Sequence, residues 1–215
     1  MTRVGIVAGG PNSAIADLTQ YRQDIDIWIG ADLGAWYILE KELILNTAVG
    51  DFDSVNNDQL ILIQNNAISF KQYPIEKDAT DLELAIEIAF HFQPSAIHLF
   101  GVTAGRLDHE LANIQMLYQI MNKGVEATIV DSINELSLFR PGSHKIYVKN
   151  QKVNISFLPF SNVVQNLTLG GFYYPLYREN LEWGTTLCLS NYLIEEEGTF
   201  SFDSGILIMI KSRES

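Results

Sequence analysis

Residues 49–55 read Val-Gly-Asp-Phe-Asp-Ser-Val, and this stretch indicates how the rest of the chain is organised. An apolar run leads into Gly50, and the carboxylates of Asp51 and Asp53 follow with one residue between them. In extended backbone this spacing turns both side chains to the same side. Two carboxylates so close repel each other unless a cation lies between them, and oxygen ligands suit a hard ion such as Mg²⁺. A polar turn after a short strand would produce the same pattern, so both interpretations stay open on this stretch alone.

Short apolar strands alternate with amphipathic helical segments on both sides of this stretch. Besides the run that ends at Gly50, the predicted strands are Val4 to Ala8, Ile25 to Gly30, Ile68 to Tyr73, Ala96 to Phe100 and Val125 to Val130. Between them apolar residues recur at helical spacing, and Thr80 and Glu83 are placed as a capping box at the start of one helix. This alternation predicts a parallel sheet covered on both faces, a Rossmann-like α/β domain over residues 1–139.

Beyond about Asp131 the pattern changes to short apolar runs separated by turn residues. The runs include Val153 to Leu158, Val163 to Leu169, Phe172 to Leu176, Thr185 to Ser190 and Ile206 to Ile210. Aromatic and β-branched residues between frequent turn signals are typical of an antiparallel sandwich or barrel. We therefore predict a small all-β domain over residues 140–215, with the boundary near Phe139 to Gly142.

Composition narrows the class of partner. The chain has 215 residues, 47% of them hydrophobic, and a formal net charge of −12, which argues against binding to nucleic acid or to an anionic membrane surface. The one cysteine, Cys188, leaves no disulfide framework, and no apolar run approaches the length of a membrane span or of a signal peptide. We expect a cytoplasmic protein that acts on small molecules.

Polar and glycine-rich segments follow five of the predicted strands. In an open parallel sheet, ligands bind at the carboxyl ends of the strands, so these segments are expected to meet in one pocket. They are Gly9-Gly10, Gly30-Ala31-Asp32, Gly50 to Ser54, Lys77 to Asp81, and Gly101 to His109. Glycines, carboxylates, a lysine and an arginine in one pocket are the chemistry of a metal-bound polyphosphate.

Each segment also has a purely structural explanation. Asp81 lies in the first turn of a predicted helix, where any carboxylate complements the helix dipole. Arg106 and Asp108 could form a loop ion pair that contributes little to stability. The sequence has no Gly-x-x-x-x-Gly-Lys-Ser/Thr motif, so any nucleotide must be held by a different scaffold.

Taken together and in order, these segments resemble the thiamine pyrophosphokinase family. The motifs that carry the resemblance are Gly30-Ala-Asp32, Gly50-Asp51-Phe-Asp53-Ser54, Lys77-Asp78-x-Thr80-Asp81 and Gly101-x-Thr103-x-Gly105-Arg106-x-Asp108-His109-x-x-Ala112-Asn113. In the second part, Tyr174-Pro175-Leu176 and Leu189-Ser190-Asn191 resemble the small thiamine-binding β domain of that family. The resemblance covers nearly the whole chain. Leu33 and Ala104 stand where family members often have glycine.

The resemblance implies transfer of an intact pyrophosphate group from ATP to the hydroxyl of thiamine, giving thiamine diphosphate and AMP. It implies that Asp51, Asp53 and Asp81 hold Mg²⁺, and that Ser190 and Asn191 lie at the thiamine pocket. It implies a homodimer with thiamine sites at the subunit interface. It implies an ATP site made of Asp32, Lys77, Asp78, Thr80, Thr103, Arg106 and Asp108. It also implies that Arg106 and Asp108 are catalytic, together with the three metal ligands.

The residue chemistry suits this reaction, because in-line phosphoryl transfer needs positioning and charge neutralisation more than covalent help from the protein. Thiamine carries a fixed positive charge, which an acidic protein attracts and on which aromatic rings can stack. Asp78 or Asp108 could accept the hydroxyl proton, and the sequence does not choose between them. Two other functions fit less well: a metal-dependent glycosyltransferase that uses a nucleotide-sugar donor, and a non-catalytic thiamine or nucleotide sensor.

Overall fold

The computed structural model describes residues 1–76, 78–148 and 153–213 of the chain. Two compact units are present, Met1–Ser132 and Ile133–Ser215. The first contains a parallel sheet with helices, and the second is built from antiparallel strands. The predicted fold class, an α/β domain followed by a small antiparallel β domain, is confirmed. The units divide between Ser132 and Ile133, where the sequence pattern changes, and a little before the boundary predicted near Phe139 to Gly142.

Parallel strands form the centre of the first unit. They are β1 (Arg3–Val7), β2 (Ile27–Ala31), β3 (Thr47–Gly50), β4 (Ser69–Gln72), β5 (Ala96–Phe100) and β6 (Glu126–Val130). The helices are α1 (Leu33–Glu40), α2 (Asn57–Asn66), α3 (Asp81–His91) and α4 (Leu107–Asn122), with short 3₁₀ helices at Asn12–Ala14 and Leu18–Tyr21. The strand order is β4-β3-β2-β1-β5-β6, so the chain first builds outward from β1 on one side and then returns to its other side.

This reversal of strand order creates a switch point beyond the carboxyl ends of β1 and β5, which is where ligands bind in open parallel sheets. The two strand ends lie very close together, since the amide of Gly10 donates to the carbonyl of Gly101 over 2.9 Å. A Cβ at residue 10 would lie 2.5 Å from that carbonyl oxygen. Glycine is therefore required here by the close approach of the two loops.

The sheet is covered by apolar side chains from the helices. Trp28, Ile38, Ile63 and Phe100 are buried in one cluster. The capping box predicted for α3 is confirmed, since Thr80 and Glu83 form hydrogen bonds in both directions. A second capping box, between Asn56 and Gln59, begins α2. No helix in the described ranges is long and apolar enough to cross a membrane.

The second unit consists of strands in antiparallel pairs. They are β7 (Asn134–Phe139), β8 (Gly142–Tyr147), β9 (Val153–Pro159), β10 (Val163–Gly170), β11 (Leu176–Glu182), β12 (Glu197–Phe202) and β13 (Leu207–Arg213). Strand β13 lies between β7 and β9, and the other four strands form a sheet in the order β11-β10-β12-β8. The core of the second unit includes the rings of Phe157 and Phe200, whose centroids are 5.1 Å apart.

Two strands predicted in this unit are wrong. Phe172 lies in an isolated bridge to Leu193 and residues 173–174 form a bend before β11, while residues 187–190 form a turn and a bend, with Ser190 at φ 55°. The apolar run Leu187-Cys188-Leu189 between turn signals suggested a strand at 185–190, but only Cys188 of these residues is buried, and Leu187 and Leu189 are exposed.

Burial of Cys188 leads to a testable prediction. Burial raises the pKa of the thiol from its ordinary 9.0 to about 11, because the thiolate would lose its hydration. We expect the native protein to react very slowly with a chromogenic disulfide reagent at pH 8, and the urea-unfolded chain to react at once. The stability that this raised pKa provides is complete below pH 9 and is lost as the pH rises towards 11. Rapid reaction of the folded protein would contradict this assignment.

Candidate active site

The carboxyl ends of β2 and β3 bring Asp32 next to the Asp51–Asp53 segment. Ala31 pairs with Val49 across the two strands, and the amide of Asp32 donates to the carbonyl of Val49 over 2.9 Å. Asp32 has φ 52°, a conformation that costs energy for a residue other than glycine. Gly50, at φ 149°, allows the backbone of Asp32 to approach, because a Cβ there would lie 3.2 Å from the Asp32 Cα. Parallel register therefore joins two acidic segments that are distant in sequence.

A turn centred on Phe52 holds Asp51 and Asp53 together. Phe52 has φ 62°, its side chain is buried, and its ring stacks on that of Phe70 with the centroids 4.8 Å apart. The amide of Asp53 donates to Asp51 Oδ1 over 3.2 Å. The extended backbone predicted for residues 51–53 is wrong, because β3 ends at Gly50. The two carboxylates converge through the turn.

Three carboxylates converge at this point: Asp32, Asp51 and Asp53 each place an oxygen within 4.8 Å of the others. One oxygen of Asp32 accepts a hydrogen bond from the Ser54 hydroxyl. Its other oxygen, Oδ1, is buried and accepts no hydrogen bond from any residue in the described ranges. Burial raises the pKa of Asp32, and the charges of Asp81, Asp51 and Asp53 raise it further, while the Ser54 bond lowers it. Oxygen donors that repel each other and an unsatisfied buried oxygen fit a hard divalent cation.

A cavity of about 910 Å³ lies beside these carboxylates. Gly9, Gly10 and Gly101 from the switch point line its wall. The predicted site residues that line it are Asp32, Asp51, Asp78, Thr80, Asp81, Thr103, Arg106 and Asp108. Asp53 is exposed next to Asp51, and Lys77 lies outside the described residues. The structure thus brings predicted ATP-site and metal-site residues from four separate loops into one pocket.

The amino end of α3 contributes the segment from Asp78 to Asp81. Thr80 caps the helix, and its hydroxyl accepts from the amide of Glu83 over 3.2 Å. Asp81 follows in the first turn, half-buried, and its charge acts on Asp32. The structural explanation for Asp81, a carboxylate in the first turn of a helix, therefore holds, and Asp81 also interacts electrostatically with Asp32 of the acidic cluster. Its role as a metal ligand stays a prediction.

Arg106 and Asp108 form an ion pair at the edge of the cavity, with Arg106 Nη2 and Asp108 Oδ2 separated by 2.6 Å. The hydrogen bond from Arg106 lowers the pKa of Asp108, and the same bond raises the pKa of Arg106. Both side chains are largely exposed, so the pair contributes little to stability. Asp108 is a poorer proton acceptor as a result. The guanidinium is held at the cavity edge, where an anion could replace Asp108.

Side-chain hydrogen bonds that sequence patterns do not indicate support the loop between β5 and α4. The Thr103 hydroxyl donates to Asp131 Oδ2 over 3.0 Å, and the Asn113 side-chain amide donates to the Val102 carbonyl over 2.8 Å. Glu110 also bonds this loop. Asn113 belongs to a recognisable motif, but nothing in the sequence pattern marks Asp131 or Glu110.

Ser190 and Asn191 lie in the second unit. Asn191 is buried, and its side chain both accepts from the Tyr174 amide over 3.0 Å and donates to the Tyr174 carbonyl over 2.8 Å. Ser190 is exposed, and the nearby rings of Tyr173 and Tyr192 stack with their centroids 4.7 Å apart. Asn191 thus fixes the backbone of the Tyr174 segment. Direct contact of Asn191 with a ligand stays a prediction.

Comparison with known proteins gives a consistent result over the full length. Residues 18–129 match the profile of the thiamin pyrophosphokinase catalytic domain, and residues 143–207 match that of the thiamin pyrophosphokinase vitamin B1 binding domain. The thiamine pyrophosphokinase of Bacillus subtilis is 44% identical over 214 residues, which is 100% of both chains.

Solved structures agree with these matches. The crystal structure of thiamine pyrophosphokinase from Bacillus subtilis superimposes with a TM-score of 0.93 at 42% identity, covering 100% of both chains. The thiamin pyrophosphokinase of Geobacillus thermodenitrificans gives a TM-score of 0.89 at 38% identity, covering 100% of this chain and 99% of that one.

Proposed function

The chain belongs to the thiamine pyrophosphokinase family, and on this basis we propose that it catalyses Mg²⁺-dependent pyrophosphate transfer from ATP to thiamine. The hydroxyl oxygen of thiamine attacks the β-phosphorus, the bond from that phosphorus to the oxygen shared with the α-phosphate breaks, and AMP leaves. The hydroxyl proton is released. The observation that carries the proposal is the convergence of Asp32, Asp51 and Asp53 beside a cavity of about 910 Å³.

The first unit is proposed to bind ATP and its metal. Asp51, Asp53 and Asp81 would hold Mg²⁺, and Asp32, whose buried Oδ1 accepts no hydrogen bond from the described residues, belongs to the same cluster of charges. When bound, Mg²⁺ neutralises the charge of the phosphates. A cavity of this volume is at the upper end of the range of roughly 300–1,000 Å³ for small-molecule sites, which suits a nucleoside triphosphate. Arg106, Thr103, Thr80, Asp78, Asp108 and Lys77 are proposed as further contacts to ATP.

The second unit is proposed to bind thiamine through the region of Ser190 and Asn191. The buried Asn191 holds the Tyr174 backbone, and the stacked rings of Tyr173 and Tyr192 present aromatic faces nearby. A thiazolium cation is attracted to such faces. Residues 1–139 would then act as the catalytic domain and residues 140–215 as the thiamine-binding domain.

One reaction tests the proposal. The protein is incubated with Mg²⁺, ATP and thiamine, and the products are separated by chromatography. Thiamine diphosphate and AMP should appear in equal amounts, and both should be lost when a chelator removes the metal. Formation of ADP with thiamine monophosphate would contradict pyrophosphate transfer. Absence of turnover with measurable binding of thiamine or nucleotide would favour a sensor.

We also propose a homodimer with thiamine sites at the subunit interface. The second unit exposes large aromatic residues, including Tyr174, Tyr177 and Trp183, and a subunit interface would remove such rings from water. Light scattering at assay concentration should give twice the chain mass of 24.2 kDa. A single species of chain mass that is fully active would contradict the shared site.

A further inference from the structure

The loop from Gly101 to Arg106, between β5 and α4, has its middle residues fixed by side chains from elsewhere. Asn113 bonds the Val102 carbonyl and Asp131 bonds the Thr103 hydroxyl. Glu110 Oε2 accepts a hydrogen bond of 3.1 Å from the amide of Ala104, the residue that follows Thr103. Three consecutive residues are therefore held by three different side chains, which is more than an ordinary surface connection requires.

Ala104 is the strained position of this loop. Its φ is 61°, in the left-handed region, where a Cβ crowds the following carbonyl and glycine is favoured. Ala104 is exposed, so no packing of its methyl group compensates for this cost. The bond from its amide to Glu110 does favour the conformation. Gly105 and Arg106 follow directly and line the cavity, so the backbone angle at Ala104 sets where they lie.

We propose that Glu110 is a positioning residue that keeps Ala104 in the left-handed conformation and so holds Gly105 and Arg106 in place for the phosphates of the nucleotide. This inference rests on the proposed function of the same cavity. Glu110 is half-buried in the first turn of α4, which places its carboxylate within reach of the loop that precedes the helix. The interaction is local and does not require any contact between Glu110 and the substrate.

Two other roles for Glu110 make different predictions. A carboxylate in the first turn complements the helix dipole, and in that case its effect would not depend on residue 104. The Glu110 carboxylate could also compete with the nucleotide, by accepting from a backbone amide to which a phosphate would otherwise bind. In that case its removal would tighten nucleotide binding. The positioning role predicts weaker binding after truncation and recovery when residue 104 becomes glycine.

Four variants separate these roles: Glu110→Ala, Glu110→Gln, Ala104→Gly and the double variant Ala104→Gly with Glu110→Ala. Truncation to alanine should raise the KM for ATP roughly tenfold with kcat changed less than about twofold, since one charge-assisted hydrogen bond is lost. Glutamine keeps an acceptor oxygen and should recover most of the affinity. The double variant should also recover it, because glycine adopts positive φ without support.

Calorimetric titration with α,β-methylene-ATP, which resists transfer, gives the same comparison without turnover. The dissociation constant should follow the order of the KM values. Wild-type KM in Glu110→Ala, tighter analogue binding, or a double variant as weak as Glu110→Ala would each overturn the inference. Failure of the proposed function is distinct, because the wild-type protein itself would then form no thiamine diphosphate.

Discussion

Replacing Asp51 with asparagine is expected to lower the rate of thiamine diphosphate formation at least about a hundredfold while the fold survives. Asparagine has the same shape as aspartate, so the turn that Phe52 anchors should persist. What is lost is one negative charge from a group whose oxygens lie within 4.8 Å of one another. That charge adds to the repulsion among the three carboxylates, so its removal is not expected to unfold the protein. Activity is thus expected to fall while the fold is kept.

Thermal unfolding with and without Mg²⁺ provides the second readout. A cation that binds only the folded protein raises its melting temperature, and this increase should be lost in Asp51→Asn. Asp58→Asn is the matched control, because Asp58 is an exposed acid in the first turn of α2 outside the cluster. It should keep both the activity and the Mg²⁺ effect. Full activity in Asp51→Asn would remove Asp51 from the metal site.

Much of this site could be predicted from the sequence because parallel sheets place strand ends together. Alternation of apolar strands and helices predicted the sheet, and each polar segment was then assigned to the carboxyl end of its strand. The structure puts Asp32, Asp51, Asp81 and Arg106 around one cavity, as that rule requires. The rule does not give side-chain distances. The closeness of Asp32 to Asp51 depends on the register of β2 and β3, in which Ala31 pairs with Val49. No sequence pattern specifies that register.

Local backbone angles were the part that sequence patterns missed. Phe52 looked like one residue of an extended run, yet it has φ 62° in a turn, with its ring buried against that of Phe70. Strand β11 was placed too early in the sequence because its own residues, from Leu176 to Glu182, are mostly polar and only Leu181 is buried. Its pairing with β10 gives it strand structure without an apolar pattern.

Asn191 shows the same limit for function. Its family motif suggested contact with thiamine, and the structure shows that its amide bonds the Tyr174 backbone on both sides. A residue can be essential to a site by shaping it. Sequence patterns do not separate that role from direct binding, because both need the same side chain at the same position.

Replacing Gly34 with alanine is expected to destabilise the protein by about 3 kcal/mol or more, against the preference of the helix itself. Gly34 lies in the first turn of α1, where helix propensity alone favours alanine by about 1 kcal/mol. A Cβ there would overlap the carbonyl of Val7 and lie 2.9 Å from the amide nitrogen of Ala8. Both are backbone atoms at the end of β1, so no change of rotamer can relieve the overlap, and α1 must move away from the sheet.

That movement would also displace Asp32, which immediately precedes α1, so loss of activity should accompany the loss of stability. Gly105→Ala is the control for stability, because the nearest atom to its Cβ would be Pro11 Cδ at 3.9 Å, and its free energy of unfolding should change by less than about 0.5 kcal/mol. Urea denaturation of both variants measures the difference. If Gly34→Ala were as stable as the wild type, α1 would not be packed on β1 as closely as the structure shows, and the close packing that fixes Asp32 beside the cavity would have to be abandoned.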